Sequence, residues 1–122
     1  MSKIKLGNDL SNLQMSLFQG QHALLQEQAV TTDVDRLKKL DKQLSRISKQ
    51  LNRLFLKRVA DLTQAMLSDP QTKADLQAIR DGTEEVKAAA EKISKVTDRL
   101  KSVKKMIDKA VKPIDKIVGF LT

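Results

Sequence analysis

Leucine sets the first rhythm of the chain. Leu6, Leu10, Leu13, Leu17 and Leu24 are spaced four, three, four and seven residues apart, the recurrence that puts apolar side chains on one face of a helix. Gly20 stands where an apolar residue would complete the stripe. Asn8 or Asp9 is suited to cap this element, because a short side-chain oxygen accepts from a free backbone N–H there. The pattern predicts a helix over about 9–29, with residues 1–8 as a flexible N-terminus. The phase breaks at Val30–Asp35, where Thr32 followed three residues later by Asp35 resembles a capping box with Asp in place of Glu. A second stripe follows, Leu37, Leu40, Leu44, Ile47, Leu51 and Leu54, and slips by one position to Phe55, Val59, Leu62 and Met66. Such a slip locally relaxes a coiled-coil supercoil. The predicted helix, about 33–67, would be on the order of 50 Å long.

Ser68-Asp69-Pro70 reads as a boundary, with Asp69 as cap and Pro70 at a first helical position that needs no N–H. A short helix is expected over 70–81, closed by Gly82, since glycine enters the left-handed region at a helix end without steric cost. Thr83 would cap the next helix, with Glu84 and Glu85 in its first turn. Beyond it, Val86, Ala89, Ile93, Val96, Leu100, Val103, Ile107, Ala110, Ile114, Ile117 and Leu121 alternate steps of three and four without a miss, a heptad pattern with every core position apolar. Pro113 lies inside this run. It removes one hydrogen bond and crowds the preceding turn, so a kink or break is expected near Val111 or Lys112. That divides the run into a helix over about 84–112 and a short tail, 114–121, within a C-terminal segment 113–122.

These elements predict an all-α chain, a single helical domain over 1–122 folded as an up-down antiparallel bundle of long, coiled-coil-like helices. The second helix outreaches the first, so its surplus stripe is expected to be covered either by another copy or by the fourth helix and tail. The apolar band also widens toward the C-terminus, and a wide band needs more burial than a two-helix seam provides. Met106, Val111, Ile114, Val118 and Phe120 are therefore candidates for a partner or membrane interface.

Composition sharpens this picture. The chain has no Trp, Tyr or Cys and three Phe, so the aromatic signal of sheet proteins is missing, as are disulfides, thiolate metal sites and thiol nucleophiles. The start, Met1 to Gly7, has no apolar core of signal-peptide length, and no apolar run approaches a membrane span. A cytoplasmic location is expected, and leaderless export is compatible with the same features. The net charge of +8 is uneven: residues 1–30 sum to zero, 31–68 to +5, 69–83 to −1 and 84–122 to +4. An excess of this kind draws anionic partners. Lys101, Lys104, Lys105, Lys109, Lys112 and Lys116 are the candidate anion contacts at the end of the chain, and Arg36 to Arg58 line the second helix.

Catalytic chemistry finds little to stand on. His22 is the single histidine and flanks the first stripe. No Glu-x-x-His pair exists for a di-metal bundle site, and no phosphate loop or dinucleotide fingerprint is present. Asp33/Asp35 and Glu84/Glu85 fall in first helical turns, where acidic groups stabilise a helix. Ala78-x-x-x-Gly82 has the spacing of a helix-turn-helix, but Asp81, Glu84, Glu85 and Glu91 would turn acid toward phosphate. The expectation is a non-enzymatic bundle, without cofactor, metal or small-molecule substrate. It would act through protein–protein interaction as an adaptor, regulator or small structural component, itself included as a partner. A second reading is docking on an anionic membrane surface through the C-terminal amphipathic segment. A third is nonspecific nucleic-acid binding, since base-stacking aromatics are missing.

Overall fold

The computed structural model describes residues 3–55, 72–96 and 98–119. They form four helices and, among the described residues, no strand: α1 (Lys3–Val30), α2 (Val34–Phe55), α3 (Thr72–Ile93) and α4 (Arg99–Gly119). The chain is an all-α helical bundle.

Short side chains set the helix ends. Thr31 closes α1 by donating its hydroxyl to the Glu27 carbonyl at 2.6 Å. Asp33, rather than Thr32, caps α2: its carboxylate accepts from the Asp35 amide at 3.0 Å and its carbonyl from Leu37. Asp98 caps α4 in the same manner, its carboxylate accepting from the Lys101 amide at 3.4 Å. In both caps an acid meets otherwise unpaired N–H groups at the positive end of a helix.

α1 antiparallel to α2, and α3 antiparallel to α4, make two hairpins that lie side by side. Arg36 reaches Glu27 across the first hairpin at 3.2 Å, and Lys116 reaches Asp75 across the second at 3.0 Å. Between the hairpins α1 runs parallel to α3, joined by Arg80 and Asp9, and α2 runs parallel to α4, joined by Arg46–Asp108 and Arg53–Asp115. α1 and α4 also touch directly through the centre. The core is therefore shared by all four helices, and Leu13, Leu17, Leu24, Leu40, Ile47, Ile79, Met106, Ile107 and Ile114 are fully enclosed. Gly20 permits the central approach: a Cβ there would stand 2.3 Å from Met106 Cε and 3.0 Å from Ile47 Cδ1.

Several expected boundaries need correction. α1 begins at Lys3, ahead of the Asn8 or Asp9 cap. The separate helices 70–81 and 84–112 do not exist as such: α3 runs unbroken through Gly82 and Thr83. Thr83 is buried, and its hydroxyl donates to the Ile79 carbonyl at 2.7 Å, satisfying itself within the helix instead of starting a new one. Gly82 has no positive φ; its missing side chain makes room for Pro113. The real reversal falls between Ile93 and Arg99, inside the most regular stretch of the sequence. α4 then continues through Pro113 to Gly119, so the break near Val111 and the separate tail 114–121 are also absent. The expected slip at Phe55–Met66, the boundary at Ser68–Pro70 and the end of the 33–67 helix lie outside the described residues. So does the overhang that favours self-association.

An apolar outer face on α1 and a basic face on α2 and α4

The candidate functional surfaces follow from which side of each helix the core consumes. On α1 the core takes Leu10, Leu13, Leu17, Gly20 and Leu24. At about 100° per residue, Ser11, Met15, Phe18, His22, Leu25 and Ala29 form a second stripe on the opposite side. All six are exposed, Met15 by 58%, Phe18 by 40% and Leu25 by 48%. Their spacing of four, three, four, three and four is that of a helix–helix seam. Glutamines flank the stripe: Gln14 and Gln21 on one side, Gln19 and Gln26 on the other. Between residues 8 and 30 the only Asp, Glu, Lys or Arg side chains are Asp9 and Glu27. Both turn inward, to Arg80 and Arg36, each at 3.2 Å. The outer stripe of α1 thus carries no charged side chain of its own, while beside its α3-facing edge Glu91, Lys95 and Arg99 share a groove with Gln19, His22 and Gln26, and Arg99 donates to Gln26 Oε1.

The opposite side of the bundle is basic. α2 and α4 each carry seven basic and two acidic residues, while α1 sums to zero and α3 to −1. Packing α2 beside α4 gathers the whole excess into one layer. Part of it is spent on internal pairing. Gln43 Oε1 accepts from Arg46 Nη1 at 3.0 Å, and the same guanidinium pairs with Asp108. One heptad on, Gln50 accepts from Arg53 at 2.8 Å, and Arg53 pairs with Asp115. The two acids that dilute the C-terminal lysines in sequence are fasteners between α2 and α4. Their signal in the sequence is an internal repeat, Lys42-Gln43-Leu44-Ser45-Arg46 against Lys49-Gln50-Leu51-Asn52-Arg53, matched by Ile107-Asp108-Lys109 against Ile114-Asp115-Lys116.

The six candidate lysines of α4 are exposed but are not one cluster. Lys101 and Lys104 join Lys39 and Lys42 of α2 along a groove whose end carries Asp33, Asp35 and Asp98. Lys109, Lys112 and Lys116 line a separate groove between α3 and α4, beside Asp75, Asp81 and Glu85, and Lys116 is paired with Asp75. Lys105 is exposed and lines neither groove.

The five apolar candidates fare differently. Met106 and Ile114 are enclosed in the core, Val111 and Val118 are half-buried, and Val118 packs on the core. Phe120 lies outside the described residues. The widening apolar band therefore reflects the place of α4 in the bundle, in contact with α1, α2 and α3 at once, and Met106 and Ile114 are not available at the surface. His22 sits in the outer stripe of α1. Among the described residues no group of three or more His, Asp or Glu could hold a metal ion, and no helix is long and apolar enough to cross a membrane. No family model, curated protein or solved structure matches the chain.

Proposed function

We propose that the chain is a non-catalytic helical-bundle protein that works by binding another protein, with the outer stripe of α1 as the binding face. One observation carries this reading: Met15, Phe18, His22, Leu25 and Ala29 hold seam spacing on the side of α1 opposite the core. Apolar surface gathered in one stripe and bordered by polar residues is the mark of an interaction face, whereas scattered exposed apolar residues are ordinary. Leu25→Lys and Met15→Lys alter exposed positions, so they keep the fold. Affinity capture with the unaltered chain should recover a partner that both variants lose. Equal recovery by all three would refute the reading.

A second reading draws on the charge segregation. The α2/α4 layer, with Lys39, Lys42, Lys101 and Lys104 along its groove, suits a polyanion held through phosphate attraction alone. Membrane docking through the C-terminal segment is less well supported, because two of its candidate side chains, Met106 and Ile114, belong to the core.

A further inference from the structure

We infer that the occupant of the α1 stripe is a second copy of this chain, laid antiparallel across a two-fold axis beside residue 20. The inference rests on the protein-binding reading above and names the partner.

Two independent features point to self-pairing. The first is the symmetry of the stripe. In an antiparallel helix pair centred beside residue 20, Ser11 faces the second copy's Ala29, Met15 faces its Leu25 and Phe18 faces its His22, and each pairing recurs on the other side of the axis. All six stripe positions find a stripe position opposite. Small meets small, long aliphatic meets long aliphatic, and the phenyl ring meets the imidazole. A closed two-fold contact requires this self-complementarity. A pairing register shifted by one residue loses it, setting stripe positions such as Met15 or Phe18 against glutamines.

The second feature is charge. Two molecules of net charge +8 repel, and a contact through the α2/α4 layers would set basic face on basic face. The outer side of α1 lies on the other side of the bundle. Between residues 11 and 29 α1 has no Asp, Glu, Lys or Arg except Glu27, which is engaged by Arg36, and the charges at its α3-facing rim, Glu91, Lys95 and Arg99, are of both signs. Pairing there turns both basic layers outward. Gln14, Gln19 and Gln21 add neutral donors and acceptors at the rim, and Gln26 accepts from Arg99. One helix face sits at the small end of specific interfaces, so association should be weak.

The test uses the full chain. Light scattering from a few micromolar to several hundred micromolar should show the mass rising from 13.7 kDa toward twice that value. Leu25→Lys and Met15→Lys should each weaken association at least about tenfold, the equivalent of 1.4 kcal/mol, with helicity by circular dichroism unchanged. The chain has no cysteine, so Met15→Cys and Leu25→Cys each introduce a unique thiol. Oxidising an equimolar mixture of the two should yield the mixed disulfide well beyond the roughly twofold excess over each symmetric one that random pairing gives. A dominant Met15→Cys homodimer would overturn the antiparallel arrangement, and a mass of 13.7 kDa at every concentration would overturn the second copy as occupant. In that last case, capture that still depends on Met15 and Leu25 leaves the protein-binding reading standing with another partner, and capture independent of them removes both.

Discussion

Pro113 of α4 lies against the backbone of α3 at Gly82, so close that a Cβ at position 82 would stand 3.0 Å from its Cγ, 3.1 Å from Cδ and 3.2 Å from Cβ. In the sequence the two residues look like independent helix breakers. In the fold they are halves of one contact, each inside an uninterrupted helix. Glycine supplies the gap that the buried proline ring fills, and the ring, unlike a long side chain, has no rotamer by which to withdraw.

This contact predicts a double-mutant result. Gly82→Ala gains about 1 kcal/mol of helix propensity but drives a methyl group into the ring, and overpacking costs about 1–3 kcal/mol. The variant should be less stable than the parent. In a Pro113→Ala background the obstruction is gone, and the same change should be neutral or stabilising. Urea denaturation of the four proteins should give a coupling of about 1 kcal/mol or more. Additive effects would mean that the ring and the glycine do not touch.

Gly20 makes the complementary case. The nearest obstacle to a side chain there is the terminal methyl of Met106, at 2.3 Å, on a flexible thioether. Gly20→Ala should therefore lie within about 1 kcal/mol of the parent, propensity offsetting the displaced methyl. Gly20→Leu has no such escape, because Ile47 Cδ1 closes the other side at 3.0 Å, and it should cost at least about 2 kcal/mol. Thermal or urea unfolding of both variants measures this, and a stable Gly20→Leu protein would show that α1 and α4 do not meet here.

The ion pairs divide by exposure. Asp108 and Asp115 are more than half exposed, so Asp108→Asn and Asp115→Asn should each cost less than about 1 kcal/mol. Arg80 and Asp9 are 15% and 14% exposed and tie α1 to α3. Arg80→Met leaves a largely buried carboxylate without its cation, and the loss should be about 1–3 kcal/mol, between the ranges for exposed and buried pairs. It stays below the upper range because Arg80 Nη2 is itself buried without a hydrogen-bond partner. Unfolding free energies in the opposite order would reverse this assignment.

Helix content and inward positions are legible in the sequence, and the chain's reversals are not. The stripe from Val86 to Ile117 correctly marks Val86, Ile93, Val103, Ile107, Ile114 and Ile117 as buried. It passes through a hairpin without losing phase, because Ile93 and Leu100 are one heptad apart on either side of the turn. Periodicity reports which side of a helix is hidden; it does not report whether the axis continues. The local signal for the turn is Asp98, which caps α4, but a cap is worth only about 1 kcal/mol, no more than the cost of a glycine and about a third of that of a proline inside a helix, so Gly82 and Pro113 mask it. The outer stripe of α1 is masked for a related reason. The leucines already account for one face, and Met15, Phe18 and Leu25 become significant only once that face is known to be occupied.

The basic layer predicts a salt signature. If Lys39, Lys42, Lys101 and Lys104 neutralise phosphates, binding to random-sequence duplex DNA should weaken linearly in logarithmic salt. Changing all four to Gln should reduce that slope by up to about 0.9 for each phosphate no longer neutralised. Changing Lys109, Lys112 and Lys116 to Gln should matter less, because the acids of their groove, Asp75, Asp81, Glu85, Asp108 and Asp115, outnumber them, whereas basic residues outnumber acids between α2 and α4. Equal slopes for both variants would mean that the anion does not lie between α2 and α4.

The most direct test compares two methionine methyl groups. Met106 of α4 is enclosed in the core, and Met15 is 58% exposed on the outer side of α1. With 13C-methyl methionine and a soluble paramagnetic agent, the Met106 signal should be protected at every protein concentration. The Met15 signal should be strongly relaxed in dilute solution and become protected as the concentration rises. A Met15 methyl that remains equally accessible up to several hundred micromolar would contradict the assignment of this stripe to a second copy.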